Sequence, residues 1–158
     1  MWKILIVDDS NTQRMVLKDL FTSNDKEYEV IEADSGKKVF EIIKNDLPDL
    51  ILLDVNMPDM NGFEVCRILR NDNSYKSLPI IFVTGAEDMA SKIKGLESGG
   101  NDYIIKPVRQ KQLLSVVKAH LRAKRILVID DDKAILESLS CFLSKNGFEV
   151  VTAQDGER

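Results

Sequence analysis

Two observations predict an α/β fold with one parallel sheet covered by helices on both faces. Short apolar runs alternate with segments of helical periodicity, and the count comes to five of each over the first ~120 residues. The first run is Lys3–Val7, a buried strand. Residues 12–21 carry Val16, Leu17, Leu20 and Phe21 at helical spacing. Tyr28–Ile31 is the second strand. Residues 37–44 form a helix with Val39, Phe40, Ile42 and Ile43 as its apolar positions. Pro48 introduces the third strand, Leu50–Leu53, and residues 63–70 form the next helix, offering Phe63, Cys66, Ile68 and Leu69 to the core. Pro79–Val83 is the fourth strand and 89–97 its helix. Asp102–Ile105 is a short fifth strand, followed by a helix over 110–122 with Leu113, Leu114, Val117 and Leu121 on one side.

Composition agrees with a soluble globular chain. Its 158 residues are 44% hydrophobic and 30% charged, with a mean hydropathy of −0.16. Acidic residues outnumber basic ones by 26 to 22, a formal charge of −4, and no basic block stands out, so no direct nucleic-acid binding is expected. No apolar run approaches the ~20 residues that a membrane span needs. The N-terminal run is too short for a signal peptide and ends in Asp8-Asp9. A cytoplasmic protein is expected, with no membrane partner and with Cys66 and Cys141 as buried free thiols.

In an open parallel sheet, the loops at the carboxyl ends of the strands build the site. Asp8-Asp9 end the first strand, Asp54 the third and Thr84-Gly85-Ala86 the fourth, while Lys106-Pro107 follow the fifth. Three carboxylates, a hydroxyl and an ammonium thus meet on one rim. Clustered carboxylates repel one another unless a cation sits among them. Hard oxygen donors suit Mg²⁺ rather than zinc or copper. A carboxylate beside Mg²⁺ and a lysine is equipped to attack a phosphoryl group and form an acyl phosphate. Taken singly, each residue has a plainer reading: Asp8-Asp9 as a strand terminus and helix cap, Asp54 as a turn carboxylate, Pro58 and Gly62 as turn and helix-start residues, Lys106 as a solvated surface lysine.

Together these residues resemble the response-regulator receiver family of two-component signalling. The resemblance rests on Asp8-Asp9, on Asp54-Val55-Asn56-Met57-Pro58-Asp59-Met60-Asn61-Gly62, on Thr84-Gly85-Ala86, and on Lys106-Pro107 with Tyr103 three residues earlier. It covers residues 1–123 in order and spacing. It implies the flavodoxin-like strand order 2-1-3-4-5. It further implies that Asp54 accepts a phosphoryl group from a sensor histidine kinase or phosphotransfer protein. Asp9, Asp54 and the backbone carbonyl of Asn56 would ligate Mg²⁺ directly, and Asp8 through water. Lys106 would pair with the phosphoryl oxygens, Thr84 would hydrogen-bond them, and Tyr103 would change rotamer as Thr84 moves. Small Ala86 would leave the site open, and Pro107 would follow a cis peptide bond. Phosphorylation would shift a face that includes Met89, Ile93, Lys94, Tyr103 and Arg109, within 88–109, the expected surface for a partner or for self-association.

The chain then repeats itself. Residues 125–131 (Arg-Ile-Leu-Val-Ile-Asp-Asp) mirror 3–9, and 149–156 mirror 29–36. The reading is a receiver over 1–123 and, over 124–158, the β-α-β opening of a second, incomplete receiver, a fragment of a longer tandem-receiver protein. Asp130 and Asp131 correspond to Asp8 and Asp9, but the segment carries no counterpart of Asp54. About 34 residues are too few to bury an independent core, and a bare strand edge seeks a partner, so self-association through this repeat is expected.

Two other readings compete. One is an adaptor that uses the fold for docking alone; the intact acceptor constellation counts against it. The other is a phosphohydrolase with an aspartyl nucleophile, which needs a second acid two residues on to protonate its leaving group, where this chain has Asn56. A flavin module is disfavoured because Asp8-Asp9 stand where a phosphate cradle would be. His120, the one histidine, lies near a helix end among basic residues and suggests no phosphohistidine role.

Overall fold

The computed structural model describes residues 1–22, 27–85, 97–122, 125–146 and 148–154. Its elements run β1 (Trp2–Val7), α1 (Asn11–Thr22), β2 (Tyr28–Ala33), α2 (Gly36–Asn45), β3 (Leu50–Asp54), α3 (Gly62–Asn71), β4 (Ile80–Thr84), β5 (Asp102–Ile105), α4 (Gln110–Arg122), β6 (Arg125–Ile129), α5 (Lys133–Lys145) and β7 (Glu149–Ala153). The helix expected over 89–97 lies outside the described residues, save Glu97 at its end. The chain divides into two compact units, Met1–Val117 and Lys118–Arg158.

In the first unit five parallel strands follow the order β2-β1-β3-β4-β5, the flavodoxin-like order. β1 sits beside both β2 and β3, with Ile4 opposite Leu50 and Val7 opposite Leu53. Near-continuous Ile, Leu and Val runs suit such strands because both of their faces are covered. Leu5, Val7, Ile51, Leu53 and Phe82 bury one face against Val39 and Ile43 of α2 and Val65, Cys66 and Leu69 of α3. The alternate residues Ile4, Ile6, Leu50 and Leu52 are fully buried as well, as are Leu113 and Val117 of α4. Gln110 of α4 donates from Nε2 to the Leu20 carbonyl at 2.8 Å, tying that helix to α1.

The apolar stripe of α3 differs from the one the sequence suggested. Gly62, Val65, Cys66 and Leu69 are buried, whereas Ile68 is 47% exposed. The spacing i, i+3, i+4, i+7 makes one face of a helix, and position 68 falls off it. Val16 of α1 is displaced in the same way, exposed beside buried Leu17 and Phe21. Asn61 starts α3 with a reciprocal cap. Its side chain accepts from the Glu64 N–H at 3.0 Å and its own N–H donates to the Glu64 carboxylate at 3.0 Å.

The second unit pairs β6 with β7 in parallel, with α5 against them. Asp132 caps α5 by accepting from the Ala134 N–H at 2.8 Å. Leu127, Ile129 and Val151 are 57%, 52% and 50% exposed, while Leu5 and Val7, the counterparts of the first two, are 0% and 1% exposed. Cys141 departs from expectation: it is exposed, and only Cys66 is a buried thiol. Position 141 lies five residues, about 140° around the helix, from Leu136, the buried hydrophobe of α5. No described helix is long and apolar enough to cross a membrane.

The two sides of α3 should respond differently to truncation. Leu69→Ala is expected to cost about 2–5 kcal/mol through lost burial and a cavity. Ile68→Ala should stay within about 1 kcal/mol. Urea midpoints of the two variants check this, and equal losses would contradict the burial pattern.

Candidate functional site

The site is assembled where β1, β3, β4 and β5 end. Each strand delivers its last residue or the next one to the same rim, because the strands are parallel and in register. Asp8 and Asp54 are buried and Asp9 is exposed. One carboxylate oxygen from each of the three lies within 4.8 Å of the others. Lys106 Nζ donates to Asp8 Oδ2 and to Asp54 Oδ1, both at 2.9 Å.

Local structure holds this geometry. The other Asp8 oxygen, Oδ1, accepts the Ser10 N–H at 2.8 Å, closing the turn into α1. Arg14 reaches back from α1 and donates through Nη1 to the Asp8 carbonyl at 2.8 Å. On the acceptor side Gly62 is obligatory. A Cβ there would stand 2.3 Å from the Asp54 carbonyl oxygen, closer than any real contact. That close approach lets the Gly62 N–H donate to the Val55 carbonyl at 3.0 Å and folds the loop tightly back on β3. Within the loop Val55 and Met57 are buried in the core, and exposed Asn56 lies between them.

Thr84 is buried at the end of β4, and its carbonyl accepts the Lys106 N–H at 2.7 Å, so the hydroxyl-bearing and ammonium-bearing segments are joined through backbone. The Lys106–Pro107 bond is cis, as the sequence suggested. Tyr103 is half-buried against the core cluster, opposite Phe82. Ala86, Met89, Ile93 and Lys94 lie outside the described residues. Arg109 is exposed just before α4.

Burial pushes the Asp54 carboxyl above the usual carboxylate range; Lys106 opposes this, while the Asp8 and Asp9 charges add to it. Burial works against the Lys106 charge, but the hydrogen bonds from Asp54 and Asp8 outweigh it and hold the ammonium above its ordinary value. One ammonium against three carboxylates leaves negative charge uncompensated. Oxygen donors at this spacing fit a small, hard divalent cation, which Asp8, Asp9 and Asp54 are the residues to hold.

Sequence reasoning brought Asp8, Asp9, Asp54, Thr84 and Lys106 to one rim correctly. It missed Arg14, whose signal is a long cation one helical turn into the segment after the acids. It took Gly62 as a helix start and as the last residue of the motif that opens at Asp54, without the steric reason for a glycine there. The pressure there comes from a backbone oxygen eight residues earlier, which no local pattern records.

The five-stranded parallel sheet in the order 2-1-3-4-5, with this acidic rim at its carboxyl edge, is the arrangement of a class of signalling-switch domains. The family model described as "Response regulator receiver domain" matches residues 4–118, and the chain belongs to that family. Receiver domains are signalling switches of two-component systems. Among curated relatives, the response regulator PleD of Caulobacter vibrioides is 34% identical over 165 residues, covering 99% of this chain and 36% of that protein. The response regulator MprA of Mycobacterium ulcerans is 34% identical over 152 residues, covering 96% of this chain and 62% of that protein. This chain therefore spans only about a third to three-fifths of their length. A solved putative response regulator from Chloroflexus aurantiacus aligns with a TM-score of 0.72 at 36% identity, over 76% of this chain and 97% of that one. The receiver domain of a signal transduction histidine kinase from Syntrophus aciditrophicus gives a TM-score of 0.71 at 33% identity, over 78% and 92%.

A pH prediction follows from the charge imbalance. With its carboxyl raised in the folded chain, Asp54 favours the protonated folded state, so its contribution to stability falls as pH rises through and above the usual carboxylate range. Asp54→Asn, which removes the buried charge while Lys106 keeps Asp8 as a partner, should therefore raise the thermal midpoint at pH 7 without divalent cations. The gap should close on acidification below the ordinary carboxylate range. Thermal melts of both proteins across pH check this; equal midpoints at pH 7 would mean that the buried carboxylate costs the fold nothing.

Proposed function

We propose that this receiver accepts a phosphoryl group on Asp54 in a Mg²⁺-dependent reaction and thereby switches a partner or a downstream output. The observation that carries the reading is the shared ammonium: Lys106 Nζ lies 2.9 Å from both Asp54 and Asp8, with Asp9 alongside. An Asp54 carboxylate oxygen attacks phosphorus while the P–N bond of the donor's phosphohistidine breaks, its electron pair staying on the imidazole nitrogen. The donor is a sensor histidine kinase or a phosphotransfer protein.

Asp9, Asp54 and the Asn56 backbone carbonyl would hold the Mg²⁺, with Asp8 of the same acidic group as an outer partner. When bound, the ion would supply neutralisation of charge on the transferring oxygens. Lys106 already touches the acceptor carboxylate and follows the negative charge onto the phosphoryl oxygens. The Thr84 hydroxyl donates to the same group, drawing in the end of β4, and Tyr103 changes rotamer in response. The protein works in the cytoplasm, as a switch that catalyses only its own phosphorylation and dephosphorylation.

Intact mass after incubation with a small acyl-phosphate donor tests the chemistry. Wild type should gain one phosphoryl group, with the gain lost without Mg²⁺ and in Asp54→Asn. No gain in folded wild type with Mg²⁺ present would move the reading to docking alone.

Self-association through the 88–109 face or through the second repeat is part of this reading; in the repeat, Leu127 and Ile129 of β6 and Val151 of β7 offer one exposed apolar face. Sedimentation should show a concentration-dependent dimer that Leu127→Asp with Ile129→Asp abolishes. A monomer at every concentration would remove this part of the reading.

A further inference from the structure

β5 is four residues long and has β4 as its one neighbour in the sheet order, yet it carries Tyr103 and delivers Lys106 to the rim. A strand this short gains little from its own pairing, and a slip of one residue would reverse every side chain on it. Its far end is held by the Lys106 N–H on the Thr84 carbonyl. Its near end is held by Asn101. The Asn101 N–H donates to the Ile80 carbonyl at 2.8 Å, and Asn101 Oδ1 accepts the Ile80 N–H at 2.9 Å. That same Oδ1 also accepts from Arg70 Nη2 at 2.9 Å.

Arg70 grips the surroundings as well. Its Nε donates to the Gly99 carbonyl at 2.8 Å and its Nη1 to the Tyr75 carbonyl at 3.2 Å. Among the described residues it forms no ion pair with a carboxylate, so its charge is satisfied by neutral acceptors. Gly99, at φ 92°, lies under the arginine stem; a Cβ there would meet Arg70 Cγ at 2.8 Å. One turn back on α3, Cys66 Sγ donates to the Ser98 carbonyl at 3.3 Å. The last turns of α3 thus hold Ser98, Gly99 and Asn101, three of the four residues that lead into β5. All this lies at the rim opposite the acidic site.

We propose that Arg70, acting through Asn101, is a positioning residue that sets the register of β5 and so the place of Lys106 against Asp54. Its consequence for phosphorylation rests on the function proposed above; its consequence for β5 does not. Three planar donors aimed at three separate acceptors define one position for the segment, which a single-headed lysine cannot reproduce. The clamp makes no contact with the acceptor, so the arginine is no catalytic residue.

Two measurements on the full chain separate the claims. In Arg70→Met, and independently in Asn101→Ala, amide hydrogen exchange should accelerate about tenfold or more over residues 102–106 while the β1 and β3 amides keep their protection. Unchanged exchange over 102–106, or a uniform rise across the first unit, would overturn the clamp whatever the site does. Phosphoryl uptake at saturating Mg²⁺ should fall about tenfold in both variants and fall no further when Arg70→Met is added to Lys106→Ala, because both act through the same ammonium. Additive losses in that cycle would refute the link to Lys106. If wild type itself takes up no phosphoryl group, the function proposed above fails, and the exchange measurement alone decides the clamp.

Discussion

The ammonium of Lys106 between Asp8 and Asp54 is the contact on which the rest of the site depends. Two buried carboxylates side by side are unfavourable, and a third beside them deepens the cost. Lys106 offsets part of it, since its hydrogen bonds to both acids keep it charged in spite of burial. The surrounding backbone is arranged to keep these groups together: the Ser10 N–H on the spare Asp8 oxygen, Arg14 on the Asp8 carbonyl, and Gly62 pressed against the Asp54 carbonyl. These contacts hold the acids in place, which is what a site awaiting a cation and an anionic group requires.

The parallel sheet makes this concentration possible. Its strands are buried on both faces, so the apolar interior ends abruptly at the rim, and Asp8 and Asp54 stand at that boundary with low-dielectric core behind them. At the Asp54 position an exposed acid would lack the desolvation that raises this carboxyl. The same burial that raises the Asp54 carboxyl makes any compensating charge more effective, because its field is less screened there.

Much of this was legible in the residues. Unbroken runs such as Leu50–Leu53 mark strands covered on both faces, and an acid at the end of a run marks the rim. The positions that were not legible share a cause. Gly62 answers to a carbonyl, Arg14 to a turn and Arg70 to three acceptors, two of them some 30 residues away. Such demands come from tertiary approach and leave no periodic trace. Ile68 shows the converse: an apolar residue with no place on the buried stripe of its helix, indistinguishable by composition from its neighbour Leu69.

The repeat gives an internal control on how far pattern reaches. Residues 125–129 form a strand, 133–145 a helix and 149–153 a parallel partner strand, as their counterparts in the first unit do. Yet Leu127 and Ile129 are exposed where Leu5 and Val7 are sealed. The side chains are of the same kind and the local structure is the same; what differs is that β3, α2 and α3 lie against β1. Local sequence therefore suffices for the elements and their pairing, while burial comes from what is brought alongside. The acids make the same point. Asp130 accepts the Asp132 N–H at 2.8 Å as Asp8 accepts that of Ser10, so the turn is reproduced. The burial is not reproduced: Asp130 is half-buried where Asp8 is sealed. The chemistry of an acidic pair thus arises from the neighbouring strands rather than from the pair itself.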